Sequence, residues 1–297
     1  MGVRISNLNA YFEGPSLRNN NDMKRQVLLL AKKVLDPIIE EGLPKDLSHI
    51  LIATTCPDML SPSLGQLIKE YYIHHFSNCL SLDIVQGCAG GVTAMIIGSQ
   101  LCETHKSSVL VLNADAAQKA TSKKSAIHKI FGNGSFSCLI SYEQKAQRLI
   151  HFKSKQYEGL SEVVKVNLGH DSDHIIMSEL NDIRIDPRKH LGLSLNKVLA
   201  LKLYSKAEGF YKEFVNESES PDIMILHQVN PLIMKHLELT FSKYNVTFIN
   251  VSKTTGNCGS ASVGIALDMI KKDIDNKKLM LCSFGTGGVI TAGLWQC

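Results

Sequence analysis

Apolar positions along the chain follow two rhythms. Across residues 24–41, Val27, Leu28, Leu30, Ala31, Val34, Leu35, Ile38 and Ile39 recur at helical spacing, with Pro37 as a kink near the end. Residues 62–75, 89–101 and a long stretch 191–214 carry the same period and predict further helices. Short apolar runs at 50–55, 82–85, 109–113 and 223–226 have the length and composition of buried strands. The first of them follows Asp46, so the chain up to that point is expected to precede the sheet. Residues 16–23 read as a polar loop, and 131–142 as a hairpin or edge strand closing a first half. Residues 148–190 are expected to hold surface strands and loops, and 216–221 a polar linker.

Candidate chemistry sits where apolar runs end. Asp83-Ile-Val-Gln-Gly-Cys-Ala-Gly90 passes from a strand through Gly87 into a helix, placing Cys88 on the helix's first turn. Unpaired N–H groups and the positive helix end favour a thiolate there and can hold an oxyanion. A small core cysteine fits the same stretch. Ile223-Met-Ile-Leu-His227 ends an apolar run just before Pro231, where a helix should begin, so His227 is expected to face the crevice at the strand's carboxyl end. Asn257, in the small-residue loop Thr254–Val263, can offer an uncharged amide N–H. Alone, each also fits a satisfied histidine or an ordinary turn. Together, Cys88, His227 and Asn257 form a nucleophile, a base or electrophile, and a neutral donor, the set expected for covalent acyl transfer.

The chain also repeats itself. An offset of 172 lays Gly87-Cys88-Ala89 over Gly259-Ser260-Ala261, residues 50–55 over 222–227, and 107–114 over 279–286. A strand–helix–strand–helix–strand pattern appearing twice predicts two similar α/β halves in one compact unit, divided as 1–145 and 146–297. A pseudo-twofold axis between them would bring Cys88 near Asn257 and His227.

Bulk properties narrow the partners. With 297 residues, 44% of them hydrophobic, the chain can bury a large core. A net charge of +4, evenly spread, gives no ground for a nucleic-acid partner. Eight cysteines without paired spacing point to a reducing compartment, taken here as the cytoplasm. No apolar run approaches the length of a membrane span, and the amino terminus lacks the order of a signal peptide. No metal site is expected: His170-Asp-Ser-Asp-His174 reads as a solvated loop. Cys56, Cys79, Cys102, Cys138, Cys258, Cys282 and Cys297 read as structural, with Cys258 alone near the site.

The motifs around Cys88, Phe131-Gly-Asn-Gly, His227-Gln-Val-Asn, Gly256-Asn-Cys-Gly-Ser-Ala-Ser and Phe284-Gly-Thr-Gly-Gly follow one another in this order. With them the chain resembles the thiolase-like condensing enzymes, and among these β-ketoacyl-acyl-carrier-protein synthase III. The resemblance implies an α/β fold of two similar βαβαβ halves stacked as αβαβα layers. It implies Cys88 as the acylated nucleophile, with the backbone N–H groups of Cys88 and Thr286 as oxyanion hole. His227 and Asn257 would handle the second substrate. Acyl-coenzyme A or acyl-carrier-protein thioesters are the implied substrates, with no tightly bound cofactor and a homodimer, or a heterodimer, as the assembly.

Several positions depart from that family. Residues 1–46 hold nothing like its coenzyme A clamp, Lys123-Lys124-Ser125 stand where an Arg is expected, and Asn133 replaces an Asp. Pro231-Leu232 stand where a basic residue is expected. Met59, Leu60 and Ser61 occupy the segment that by resemblance closes the acyl pocket across the dimer, with Ser61 in place of a bulky aromatic. Medium or long acyl chains are therefore expected, in a specialised fatty-acid or polyketide-type role. The same three residues also serve an ester- or amide-forming transferase. A subunit of a heteromeric synthase and a hydrolytic, cysteine-protease-like enzyme are the other classes weighed; the intact Cys, His and Asn set disfavours a pure scaffold, and the repeated halves fit a protease poorly.

Overall fold

A computed structural model of the chain describes residues 2–14, 26–121, 126–143, 148–168 and 191–297. The stretch 16–23, Lys123-Lys124-Ser125 and His170–His174 lie outside the described residues.

Two five-stranded sheets carry the architecture. The first uses β1 (Gly2–Glu13), β2 (Leu47–Ala53), β3 (Leu80–Ile84), β4 (Ser108–Ala116) and β5 (Asn133–Glu143) in the order β1-β5-β4-β2-β3. The second uses β6 (Arg148–Gln156), β9 (Ile223–Leu226), β10 (Thr247–Ile249), β11 (Lys278–Gly285) and β12 (Val289–Gln296) in the order β10-β9-β11-β12-β6. Strand directions match as well. In each sheet the pairs β2·β3 and β2·β4, or β9·β10 and β9·β11, are parallel, and the remaining two pairs are antiparallel. A short antiparallel ribbon, β7 (Val164–Leu168) with β8 (Leu191–Leu195), stands apart.

Helices α1 (Gln26–Glu41) and α2 (Leu64–Tyr71) cover the outer face of the first sheet, where Val34, Leu35, Ile38 and Ile68 meet Ile50, Ile52 and Leu110. Between the sheets run α4 (Gly90–His105) and the helix Ser262–Met269, both apolar nearly all round, as a middle layer requires. Trp295 of β12 is fully buried there and its Nε1 donates to Ser99 Oγ of α4 at 3.1 Å. The helices Lys197–Ser205, Ala207–Asn216 and Pro231–Phe241 cover the second sheet through Phe210, Phe214, Met234 and Phe241. The result is the five-layer αβαβα order. Removing each buried Leu, Ile or Phe from water contributes about 1.5–3 kcal/mol.

Some local expectations give way. The sheet begins at β1, an outer strand whose apolar positions are weakly patterned and interrupted by a register shift between Ser6 and Asn9. Consequently β5 is an interior strand, paired on both sides, where the sequence suggested a hairpin or edge. Residues 191–214 are not one helix. Leu191-Gly-Leu-Ser-Leu195 alternates and forms β8, Asn196 then caps a helix by accepting from Val198 N and Leu199 N, and that helix breaks at Lys206. The predicted helix 62–75 is two pieces, α2 and α3 (Ile73–Phe76), the first started by a capping box on Ser63. The offset of 172 holds at the turns before the two central helices. Along β4 and β11 the ladder partners of Ala53 and Ile225 are Asn113 and Leu281, four positions short of it. Among the described residues no helix is long and apolar enough to cross a membrane.

Candidate active site

Gly87–Ala89 forms one tight 3-10 turn ahead of α4, with Gly87 at φ +55°. A Cβ at Gly87 would stand 2.5 Å from Thr286 Cγ2, so glycine is needed both for the backbone sign and for contact with the Thr286 loop. The duplicate turn Gly259–Ala261 has Gly259 at φ +57° and leads into Ser262–Met269. Cys88 is thereby fixed from both halves: its neighbour touches Thr286, and Ser283 Oγ donates to its carbonyl at 2.9 Å.

The expectation of a resting thiolate does not hold. Burial, reinforced by the negative charge of Asp115 and opposed by a hydrogen bond with Thr55, pushes the Cys88 thiol up to about 12. Water loss outweighs the helix terminus. Cys88 rests as a thiol.

His227 follows β9 directly, and its N–H donates to Cys282 O at 2.9 Å. The ring is 2% exposed, and Nδ1 is buried with no partner among the described residues. Desolvation holds it down to about 3, so the imidazole is neutral throughout the physiological range and a poor proton acceptor.

Asn257 is pinned by its backbone and oriented by its side chain. It bridges Phe131, its N–H donates to Ile130 O at 2.9 Å, and its carbonyl accepts Gly132 N–H at 3.0 Å. Side-chain Oδ1 accepts Gly259 N–H at 2.9 Å. With the oxygen so engaged, the amide NH₂ is left to the pocket.

Cys88, His227, Asn257 and Thr286 line one pocket holding about 630 Å³ of atom-free space, part of it open to solvent. Its walls are mostly apolar: Ile130, Phe131, Val163, Leu193, Leu203 and Phe284. Met59, Leu60 and Ser61 do not line it. They sit on an exposed loop, with Met59 37% and Leu60 68% exposed. The loop's base is firm, because buried Asp58 accepts Val27 N–H and Leu28 N–H and pairs with Lys119 Nζ at 2.6 Å. Cys258, expected near the site, adjoins Asn257 but lies outside the pocket lining. Its sulfur is directed at Thr255 O and packs beside Gly132 and Gly134.

Sequence reasoning missed four participants in this pocket. Thr55 and Tyr204 line it, Asp115 holds Thr55 from behind, and the β7·β8 ribbon contributes Val164, Leu193 and Leu195. The alternation in 191–195 signals the ribbon; Asp115, a carboxylate inside a strand buried at all nine positions, signals itself by being out of place.

A duplicated α/β fold with a buried thiol at a helix start and two neutral polar groups across the pocket defines an acyltransferase of the thiolase-like condensing class. The comparisons with known proteins agree. The family model "3-Oxoacyl-[acyl-carrier-protein (ACP)] synthase III" matches residues 82–157, and its "C terminal" companion matches residues 216–297, together more than half of the chain. The chain belongs to the β-ketoacyl-acyl-carrier-protein synthase III family. A beta-ketoacyl-[acyl-carrier-protein] synthase III of Porphyra umbilicalis is 26% identical over 251 residues, covering 82% of this chain and 75% of its own. Synthase III 1 of Halalkalibacterium halodurans is 26% identical over 284 residues, covering 92% and 81%. In fold, the chain matches the synthase III of Thermus thermophilus at TM-score 0.78 with 17% identity, over 100% of this chain and 99% of the other. It matches an OleA variant of Xanthomonas campestris at 0.71 with 14% identity, over 91% and 81%.

Proposed function

We propose that this enzyme joins two acyl thioesters by decarboxylative Claisen condensation through an acyl-Cys88 intermediate. Cys88 attacks the first thioester, a new carbon–sulfur bond forms, and the thiol proton leaves with the departing thiol. The backbone N–H groups of Cys88 and Thr286 hold the oxyanion. A malonyl or β-ketoacyl thioester then loses CO₂ or gives a proton to water, and its enolate attacks the acyl carbon. The acyl–sulfur bond breaks, with the Cys88 thiolate taking up a proton. His227 Nε2 and the Asn257 amide hold that enolate.

One observation carries this reading: the two groups set beside Cys88 are both neutral donors. His227 is held uncharged by burial, and Asn257 is turned amide-first into the pocket by Gly259. A carboxylate there would repel both the donor's malonyl carboxylate and the enolate it leaves.

The relatives' names point to acyl-carrier-protein thioesters as substrates, and coenzyme A thioesters offer the same acyl–sulfur bond. The chain's two halves, 1–145 and 146–297, act as one unit. A homodimer is supported by β3, an edge strand that exposes Leu80 and Leu82 and runs into Val85, 92% exposed. Such a dimer would let Met59, Leu60 and Ser61 reach a partner's acyl pocket, with room for medium or long chains. Free thiols at all eight cysteines fit a cytoplasmic enzyme.

The test is intact-protein mass after mixing with a panel of acyl-coenzyme A and acyl-carrier-protein thioesters, followed by product analysis with a malonyl donor. An acyl adduct on Cys88 that malonyl thioester discharges into a β-ketoacyl product is expected. Failure of every thioester to acylate Cys88 overturns the reading.

A further inference from the structure

Asp115 is fully buried behind the nucleophile and serves no step above. Its Oδ1 accepts from Thr54 Oγ1 at 3.2 Å, Thr55 N–H at 2.6 Å and Cys56 N–H at 3.1 Å. Its Oδ2 accepts from Thr55 Oγ1 at 3.0 Å and from Ser260 N–H and Oγ at 2.6 and 2.7 Å. Every donor is neutral. The buried cation Lys119 is committed to Asp58 at 2.6 Å and not to Asp115, whose carboxyl is pushed up by burial against the pull of these donors. A carboxylate this costly to bury calls for a function, and its partners indicate one.

At the offset of 172, Thr55 is the counterpart of His227, and Ser260 the counterpart of Cys88. Asp115 therefore grips the first half's version of the histidine and the second half's version of the nucleophile. Thr55 also lines the pocket with Cys88, its side chain held by Asp115.

We propose that Asp115 is a positioning residue for the nucleophile, locking Thr55 so that its hydroxyl is the hydrogen-bond partner of the Cys88 sulfur. In the resting state the Thr55 O–H donates to Asp115, and the Cys88 S–H donates to Thr55 Oγ1. As negative charge develops on sulfur, the Thr55 hydroxyl turns to donate to it, and Asp115 keeps its other five donors. No proton is transferred to Asp115. The carboxylate's charge opposes early ionisation of Cys88, so the thiol is spared until a thioester is seated. The other titratable groups around the pair are Cys56 beyond β2, Lys119 beyond β4, Tyr204 on the helix Lys197–Ser205, His227 beyond β9, and Cys258. None of them places a positive charge on the sulfur: Lys119 is paired, and His227 is neutral.

The proposal rests on Cys88 as the acylated group, but it can be judged separately. The readout is the rate of iodoacetamide labelling at Cys88, mapped by peptide mass at pH 8 and 9, beside single-turnover acylation. Thr55→Val should slow both about tenfold, since the sulfur loses its donor, while Thr55→Ser should stay within about threefold of the native protein. Asp115→Asn, which puts a donor where Thr55 needs an acceptor and releases it, should slow single-turnover acylation about tenfold. Loosened packing alone would expose the sulfur and speed labelling in every variant, so slower labelling in Thr55→Val is diagnostic. Should Asp115→Asn not fold, the contrast between Thr55→Val and Thr55→Ser decides. Unchanged or faster labelling in Thr55→Val overturns the proposal. If no thioester acylates native Cys88, the catalytic reading falls, and the labelling rates still judge the Thr55–Asp115 pair.

Discussion

Asn257 Oδ1 accepts the Gly259 N–H at 2.9 Å, and this one bond decides which end of the amide faces Cys88. Asn257→Asp should keep that bond while replacing the pocket-facing donor with a second oxygen. Acylation of Cys88 should survive in a single turnover, and condensation should fall by roughly 10² or more, the size of losing one oxyanion donor. Rapid-quench measurement of adduct and product separates the two. Full product formation in Asn257→Ala would assign the amide some other task.

Burial of His227 gives a signature in stability. Its folded pKa, about 3, lies below the unfolded value near 6.5. Below pH 6.5 the unfolded chain binds the extra proton, so stability falls with pH and levels off only below about 3. Between pH 7 and 4 the native protein should lose roughly 3 kcal/mol more than His227→Gln. Parallel urea titrations at the two pH values check this, and equal losses would contradict a buried neutral imidazole.

Two cysteines separated by half the chain should respond differently to replacement. Cys88→Ala should abolish the acyl adduct. Cys258→Ala should keep it, because that sulfur lies against Gly132 and Gly134 and not in the pocket. Intact mass after thioester addition reads both, and an adduct persisting in Cys88→Ala would sink the mechanism.

Ser61 stands on an exposed loop whose base is held by Asp58 and Lys119. If a partner subunit presents it to the acyl pocket, Ser61→Phe should cut turnover of long acyl chains and spare short ones. Each buried methylene lost is worth about 0.8 kcal/mol. A chain-length series for both proteins is the measurement. A uniform effect, or acetyl as the best native donor, would remove this loop from the pocket.

The layered fold and the meeting of Cys88, His227 and Asn257 were legible because Cys88 and His227 follow apolar runs punctuated by glycine or proline, and Asn257 sits in a loop crowded with small residues. Strand β1 was not legible: of its apolar side chains only Val3 and Ile5 are buried, so its alternation is faint. Asp115 was not legible for another reason. Its meaning depends on Ser260, 145 positions away, and no local pattern reports a carboxylate's distant donors. The resting state of Cys88 was misjudged because the helix start is written in sequence, while the depth of burial around it is not.

A molecule assembled from two copies of one motif holds each position in duplicate, yet a reaction between unlike substrates can use only one member of each pair. Here the spare members have been turned inward. Ser260 and Thr55 are spent on Asp115, while Cys88 and His227 line the pocket. The anchoring of one copy is thus done by leftovers of the other, and the pocket lies on the seam where they meet. Neither half, cut free, would retain a site to measure.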